Sequence, residues 1–406
     1  MPHCGTGQLT ISTPSDASAS PSGEPKGSPV PASKRVAVVG VGTMGSQVAW
    51  RLAARGADVV GYDRFAPGHD RSAAGGETRI FRSAHFEDSR YVPLLKHADG
   101  LWDELQRETG RELRRLTGCL LMGPTSHHQM ATVLQSIDEH GLDHDVLDAD
   151  LLARRFPQYR IEDGDAAVLD RHAGFIRPEL TVQSAARRAE ELGARIHRYT
   201  PVREITKTGG GVTVRTDEGS EHFDAVVVTV GPWVNDLLPD LPWEVEIRRL
   251  VSAWYVPTTD AWFGQERPAF IRTAPTHCYG LPSPDGVSVK LGLSRTLHQL
   301  VDDPNRLDRT VQPSELDIFG ELIGRYLPDL HPNPVRLSVF MEGYTESSRP
   351  LVGPLPGNEN VVLLAGFSGH GFKLSPAMGD IAADLALDGT SAQPIDFIST
   401  SNRTEA

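Results

Sequence analysis

Two hydrophobic patterns alternate along this chain. Arg35-Val36-Ala37-Val38-Val39 is a mostly apolar run, as in a parallel strand buried on both faces. A glycine turn, Gly40 to Gly45, interrupts it. Ser46 to Arg55 then has helical spacing, with Val48, Ala49 and Leu52 on one face, and Gly56 ends it. Ala57 to Tyr62 is a second strand with Asp63 at its end, so the opening is a β-α-β unit. Helical spacing recurs over Tyr91 to Thr109, over His127 to His140 before Gly141, over Ala149 to Phe156, and over Glu179 to Leu192 after Pro178. Strands are expected at Gly118 to Met122 and Arg195 to Tyr199, and two or three more lie between Val202 and Val230. The last of these, Asp224 to Val230, is nearly all apolar and ends at Gly231. Strand-like pieces between 246 and 342 include Ser252 to Val256 and Val287 to Leu293, with a helix at Ser314 to Tyr326. Val361 to Ala365 is another buried strand. It leads into Gly366 to Lys373 and a helix from Ser375 to Leu387. No internal repeat is present.

Strands of the nucleotide-binding type thus fall at the start, middle and end of the chain, with less α/β-like segments between them. The simplest arrangement is an α/β protein with one discontinuous Rossmann-like domain and a second domain, built on an antiparallel sheet, inserted into it. The expected boundaries are 35–115, 170–245 and 343–395 for the first domain, and 116–169 and 246–342 for the second. Residues 1–34, rich in Ser, Pro and Gly, are expected to be a disordered extension, and 396–406 a tail.

Length and charge narrow the class. The 406 residues suffice for two domains, and the formal net charge of -13 argues against nucleic acid as partner. Cys4, Cys119 and Cys278 are too far apart for a disulfide framework or a zinc site, which fits a reducing, cytoplasmic setting. No apolar run approaches the ~18 residues that span a bilayer, and the start lacks a secretory pattern. His140 and His144 stand four apart, but Gly141 between them ends the helix, so no metal site is expected.

Candidate chemistry begins with Gly40-x-Gly42-x-x-Gly45. The first glycine makes the turn, the second lets a pyrophosphate approach the backbone, and the third lets the helix pack against the strand. Free N–H groups at the helix start then face the phosphates. Asp63, 23 positions after Gly40, is placed to accept ribose hydroxyl hydrogen bonds. Thr43, Met44 and Arg64 flank the same features. This motif alone fits NAD as well as FAD, and GVGTMG would suit an NAD-dependent dehydrogenase.

Four further segments decide the matter by resemblance. They are Gly76-Glu77-Thr78-Arg79-Ile80-Phe81-Arg82, Tyr91-Val92-Pro93-Leu94, Val289-Lys290-Leu291-Gly292 and Gly366-Phe367-Ser368-Gly369-His370-Gly371-Phe372-Lys373. In this order, over about residues 35 to 395, they resemble the monomeric sarcosine oxidase and N-methyltryptophan oxidase family, within the D-amino-acid oxidase superfamily. Asp224 to Trp233 resembles the second dinucleotide segment of that superfamily. The resemblance implies FAD as cofactor. It adds Thr78, Val202, Gly231, Trp233, Gly343, Gly366, Gly369, His370, Gly371, Phe372 and Lys373 to the cofactor positions. For His370 loop packing is the alternative.

The resemblance also implies roles. Arg82 and Lys373 match the pair that grips a substrate carboxylate; the alternative is that Arg82 pairs with Glu77 or Glu87. Arg79 matches an arginine beside the flavin, or else is a surface arginine. Lys290 matches the lysine that activates oxygen, unless strand alternation turns it to solvent. Tyr279 and Tyr344 match positions near substrate and flavin, with packing as the alternative for Tyr279. The implied reaction takes a hydride equivalent from an amino-acid-type amine, an N-methyl or other secondary amine, to the flavin. The imine hydrolyses, and O2 is reduced to H2O2. The protein would act as a monomer on a small-molecule amine.

Two departures stand out. The family's flavin-attaching cysteine has no counterpart in Phe340-Met341-Glu342-Gly343-Tyr344-Thr345, so FAD is expected to be noncovalent. The family's flavin-side histidines are missing at Ala73-Ala74-Gly75 and at Ser294. Rival readings are a flavin dehydrogenase, a biosynthetic oxidase of a larger cyclic imino acid, an NAD-dependent dehydrogenase, and a non-catalytic nucleotide-binding protein.

Overall fold

The computed structural model describes residues 33–71, 73–83, 87–263 and 267–403. The extension expected at 1–34 lies, but for its last two residues, outside the described residues. β1 (Arg35–Val39), α1 (Thr43–Ala54) and β2 (Asp58–Tyr62) form the β-α-β unit. α1 starts three residues before the expected Ser46, because Gly42 already caps it and Ser46 N–H donates to Gly42 O at 3.0 Å.

β1 is central in a six-stranded sheet ordered Leu351–Leu355, Asn358–Ala365, Ala225–Val228, β1, β2, Arg195–His197. All neighbours run parallel except the Leu351–Leu355 edge. Both faces of β1 are covered, which explains its unbroken apolar run. Val36 and Val38 pack with α1 and the helices Pro178–Glu191 and Ser375–Asp388. Ala37 and Val39 pack with Val212, Val214 and Phe223 of a three-stranded meander. The stretch 202–230 therefore holds four strands rather than two or three. Three of them (Glu204–Thr208, Gly211–Arg215 and Ser220–Phe223) are short, half exposed and bounded by glycine turns, so their apolar pattern is weak.

A nine-stranded, mainly antiparallel sheet is built from residues 119–170 and 246–344. Its longest strand, Glu246–Tyr255, pairs with Val289–Leu293 on one side and with Arg336–Tyr344 on the other. Register separates its faces, since directly opposed residues project to the same side. Val251, Ala253, Leu291 and Val339 join a core covered by the helix Asp317–Tyr326. The opposite face aligns Trp254 with Lys290 and Arg336, Gly292 with Tyr279, and Glu246, Arg248 and Leu250 with Tyr344, Glu342 and Phe340.

This second face meets the segments 73–79 and 366–370. Trp254 Nε1 donates to Glu77 at 2.7 Å, and a side chain on Gly75 or Gly76 would collide with the Phe340 ring. Tyr344 bridges to Phe367, and Ser368 N–H donates to Gly343 O at 3.0 Å. Residues 396–403, set apart above as a tail, lie against the Leu351–Leu355 edge: Ile398 is fully buried and Thr400 Oγ1 donates to Pro354 O. Gly141 is left-handed and ends the helix His128–His140, while His144 starts a strand, so the two histidines share no helix face.

Candidate active site

A cavity of 450 Å³ opens at the C-terminal ends of β1 and Ala225–Val228 and runs to the Gly366–Phe372 segment. Its walls contain Gly40, Gly42, Thr43, Met44, Asp63, Arg64, Val202, Gly231, Trp233, Gly343, Gly366, Gly369, Gly371 and Phe372. Gly45, Thr78, Arg82, Tyr279, Lys290, Tyr344, His370 and Lys373 are not among its lining residues. Phe65, His69, Arg203, Asn305 and Glu342 also line it. No sequence pattern marked these five as lining residues, because each reaches the cavity from a loop or a strand end.

The nucleotide end is shaped mainly by backbone. Gly40 has φ +87°, and a Cβ on Gly45 would lie 1.8 Å from Gly40 O, so only glycine permits this helix–strand approach. A Cβ on Gly42 would meet nothing within 4 Å, which leaves open space over the loop. α1 has neither a side-chain cap nor an acidic residue in its first turn. Its free N–H groups and positive dipole end therefore stay available to an anion. Asp63, 4 % exposed, accepts N–H bonds from Val41 and Phe65, both at 2.7 Å. Each carboxylate oxygen keeps acceptor capacity for ribose hydroxyls. At the rim, the Arg64 guanidinium lies over the Trp233 ring and both side chains bond Asn305 Oδ1.

The inner end holds buried charge. Lys290, 1 % exposed, donates from Nζ to Gly76 O at 3.0 Å and to Thr78 O. Desolvation drives its ammonium well below the usual lysine range, and neighbouring Arg79 adds to this. Strand alternation thus turns Lys290 inward, not to solvent. Arg79 lines the cavity and donates to Thr78 O and Ala73 O, with its guanidinium over Phe340. Thr78 Oγ1 is buried without a hydrogen-bond partner. Tyr279 lies beside Gly292, where its ring leaves no room for a Cβ. Tyr344 O–H donates to Glu342 at 2.8 Å.

Lys373, 4 % exposed, donates to His370 O at 2.8 Å. Burial, reinforced by Arg82, lowers its ammonium to about 7. Arg82 donates from one Nη to both oxygens of Glu87, at 2.6 and 2.7 Å. The alternative pairing named above is therefore the one present, although Arg82 and Lys373 remain close enough to interact. Burial also lowers His370 to about 4, and its ring packs edge-on to Tyr91.

The FAD dependent oxidoreductase (DAO) family matches residues 35–385. This chain belongs to that family. As an FAD-dependent oxidoreductase it is 34% identical over 365 residues to monomeric sarcosine oxidase of Streptomyces avermitilis, covering 89% of this chain and 95% of the relative. It is 30% identical over 358 residues to N-methyl-L-tryptophan oxidase of Escherichia coli, covering 86% and 94%. The solved structure of NikD, an unusual amino acid oxidase essential for nikkomycin biosynthesis, superposes with a TM-score of 0.79 at 25% identity, covering 90% and 98%. The oxidoreductase is thus an FAD-dependent amine oxidase of the sarcosine and N-methyltryptophan oxidase group. The NAD-dependent reading is set aside. The residues fit FAD: the glycine cradle, the uncapped helix and Asp63 suit its ADP half, and the glycine-rich 366–371 segment suits a flat ring. Among the described residues no cysteine lines the cavity; Cys119 and Cys278 are buried in strands of the antiparallel sheet.

Proposed function

We propose that this enzyme oxidises the C–N bond of an amino-acid-type amine, an N-methyl or other secondary amine, using noncovalent FAD and O2. The observation that carries this reading is one cavity built for a dinucleotide, with two buried lysines, Lys290 and Lys373, each bonded to a carbonyl of a segment that contributes residues to its wall. The names of the two curated relatives, a sarcosine oxidase and an N-methyl-L-tryptophan oxidase, support the substrate class. The absence of a cysteine from the described cavity wall supports noncovalent attachment. Two free buried thiols accord with a reducing cytoplasm, and the first relative's name with a monomer. The domain boundaries given above are retained as part of the proposal.

When bound, the flavin supplies the two-electron acceptor that the side chains lack. Lys290, fixed by two carbonyls, is assigned the oxygen-activating role, in which its protonated form would stabilise negative charge developing on O2. Arg79 is held by Ala73 O and by the same Thr78 O that Lys290 bonds, and lines the cavity. Lys373 offers a cation to a substrate carboxylate, and Arg82 joins it once that carboxylate displaces Glu87.

The test is a visible spectrum of the purified protein before and after acid precipitation, followed by an anaerobic amine panel. A yellow supernatant, then bleaching by secondary amino acids, is the expected result. Colour in the pellet overturns noncovalent attachment. Flavin that no amine bleaches overturns the substrate class.

A further inference from the structure

Asn305 reaches the cavity from the chain that builds the antiparallel sheet. Among the described lining residues, the others from 246–344 are Met341, Glu342 and Gly343, all on the strand at the inner end. The neighbours of Asn305 place it at the Asp63 end instead. Phe65 N–H donates to Asp63, the Phe65 and Trp233 ring centroids lie 5.8 Å apart, and Trp233 Nε1 donates to Asn305 Oδ1 at 3.0 Å.

The segment that carries Asn305 is anchored along its length. Gln299–Leu300 pairs with Arg248 and Arg249, after which the chain leaves the sheet. Asp303 accepts from the backbone N–H and from Nδ2 of Asn305, at 2.8 and 2.9 Å. Arg249, 6 % exposed, donates to Asp308 O and Thr310 O, both at 2.8 Å, and pairs with Glu315. Leu307 packs against the core of the antiparallel sheet and against the core shared by β1 and the meander. Arg309 then donates to Asp70 O at 3.1 Å, in the loop after β2. Residues 303–310 thus form an arch fixed on both sides of the cavity rim.

The Asn305 amide is where this arch meets the wall. Oδ1 accepts from Trp233 and from an Nη of Arg64, while Nδ2 donates to Asp236 at 3.2 Å as well as to Asp303. Both lone pairs and both amide protons are used, so the side chain serves the wall and not a ligand. The Arg64 guanidinium lies over the Trp233 ring and lines the cavity. Its bond to Asn305 takes one of five N–H donors and fixes the plane in which the rest lie. A loose arginine would lose rotamer freedom each time a cofactor bound; Asn305 removes that loss beforehand.

We propose that Asn305 is a positioning residue for the cofactor: it locks Arg64 and Trp233 into the wall beside Asp63, so that the arch 303–310 retains the adenosine half of FAD. This rests on the noncovalent FAD of the reading above and extends it to how that FAD is kept.

The test compares FAD with FMN, which lacks the adenosine half, by fluorescence titration of the full-chain apoprotein. The wild type is expected to bind FAD more tightly than FMN. Asn305→Ala should weaken FAD about tenfold or more and leave FMN within about twofold, since two hydrogen bonds that order the wall are lost. Asn305 is exposed, so the apoprotein should melt at the same temperature with and without the substitution. Unchanged FAD affinity in N305A overturns the proposal. Equal weakening of FAD and FMN, or a lowered melting temperature that accounts for the loss, makes Asn305 a residue of the fold alone and also overturns it. If N305A keeps its FAD while secondary amino acids still bleach the flavin, the inference fails and the amine-oxidase reading stands. Flavin that resists acid extraction fails the noncovalent reading, and the inference with it.

Discussion

The two ends of the cavity are built on different principles. The nucleotide end is built around a local motif, a turn, a helix start and one acid within residues 40–63, with Val202, Gly231, Trp233 and Asn305 completing its wall. Its specificity comes from backbone N–H groups and from space that only glycine leaves. The inner end is assembled from distant segments: Ala73, Arg79, Met341 to Gly343 and Gly366 to Gly369 line it, and Lys290 bonds the carbonyls of Gly76 and Thr78 near Arg79. Its specificity comes from charged side chains held out of water. The first end binds by shape and dipole and tolerates little change in volume. The second should tolerate changes in volume better than changes in charge.

Five substitutions and one titration sharpen that contrast. The largest effect is expected at Lys290→Met, which keeps volume and removes charge. Reoxidation of reduced flavin by O2 should slow about 100-fold or more while anaerobic reduction is spared, as stopped-flow traces of the two half-reactions would show. Equal rates in both would remove Lys290 from oxygen chemistry. Next is Gly45→Ala, which adds one methyl against Gly40 O. Overpacking of about 1–3 kcal/mol should lower FAD affinity roughly 10- to 100-fold, read by fluorescence titration of the apoprotein. Gly42→Ala, whose Cβ meets open space, should leave the melting temperature of the apoprotein unchanged.

Lys373 gives a pH test. Its ammonium is lowered to about 7, so it is charged below that pH and neutral above it. Benzoate affinity should be flat below about 7 and then fall about tenfold per pH unit. Lys373→Ala should abolish this dependence and weaken carboxylate substrates far more than simple amines. The smallest effect is expected at Glu87→Gln. Releasing Arg82 from its internal carboxylate should tighten benzoate binding by about 3- to 10-fold. A loss of affinity would mean that Glu87 positions Arg82 rather than competing for it.

The same contrast explains what could be read from the chain before its fold was known. β1, α1, β2 and Asp63 are legible because glycine spacing and apolar runs are local signals. The helix Tyr91–Thr109 was delimited to the residue, since its apolar face repeats without interruption. The burial of Lys290 was open in the sequence: alternation in Val289–Leu293 is equally satisfied by solvent, and only the register with Trp254 settles it. Arg82 has two possible carboxylate partners in the sequence, and the fold brings Glu87 to it. Glu342 carried no signal of its own beyond the absence of a cysteine nearby.

The strand Arg336–Tyr344 carries a final consequence. Nine of its residues are registered with Glu246–Tyr255, and its last turn is stitched to the 366–368 loop through Tyr344–Phe367 and Ser368–Gly343. The strand stays within the nine-stranded sheet, and its C-terminal end contacts the loop that follows Asn358–Ala365. Neither sheet can melt along this seam without disturbing the other. Heat should unfold the holoenzyme in one cooperative step seen alike by flavin release and by loss of secondary structure, and proteolytic nicking should yield no stable nucleotide-binding half.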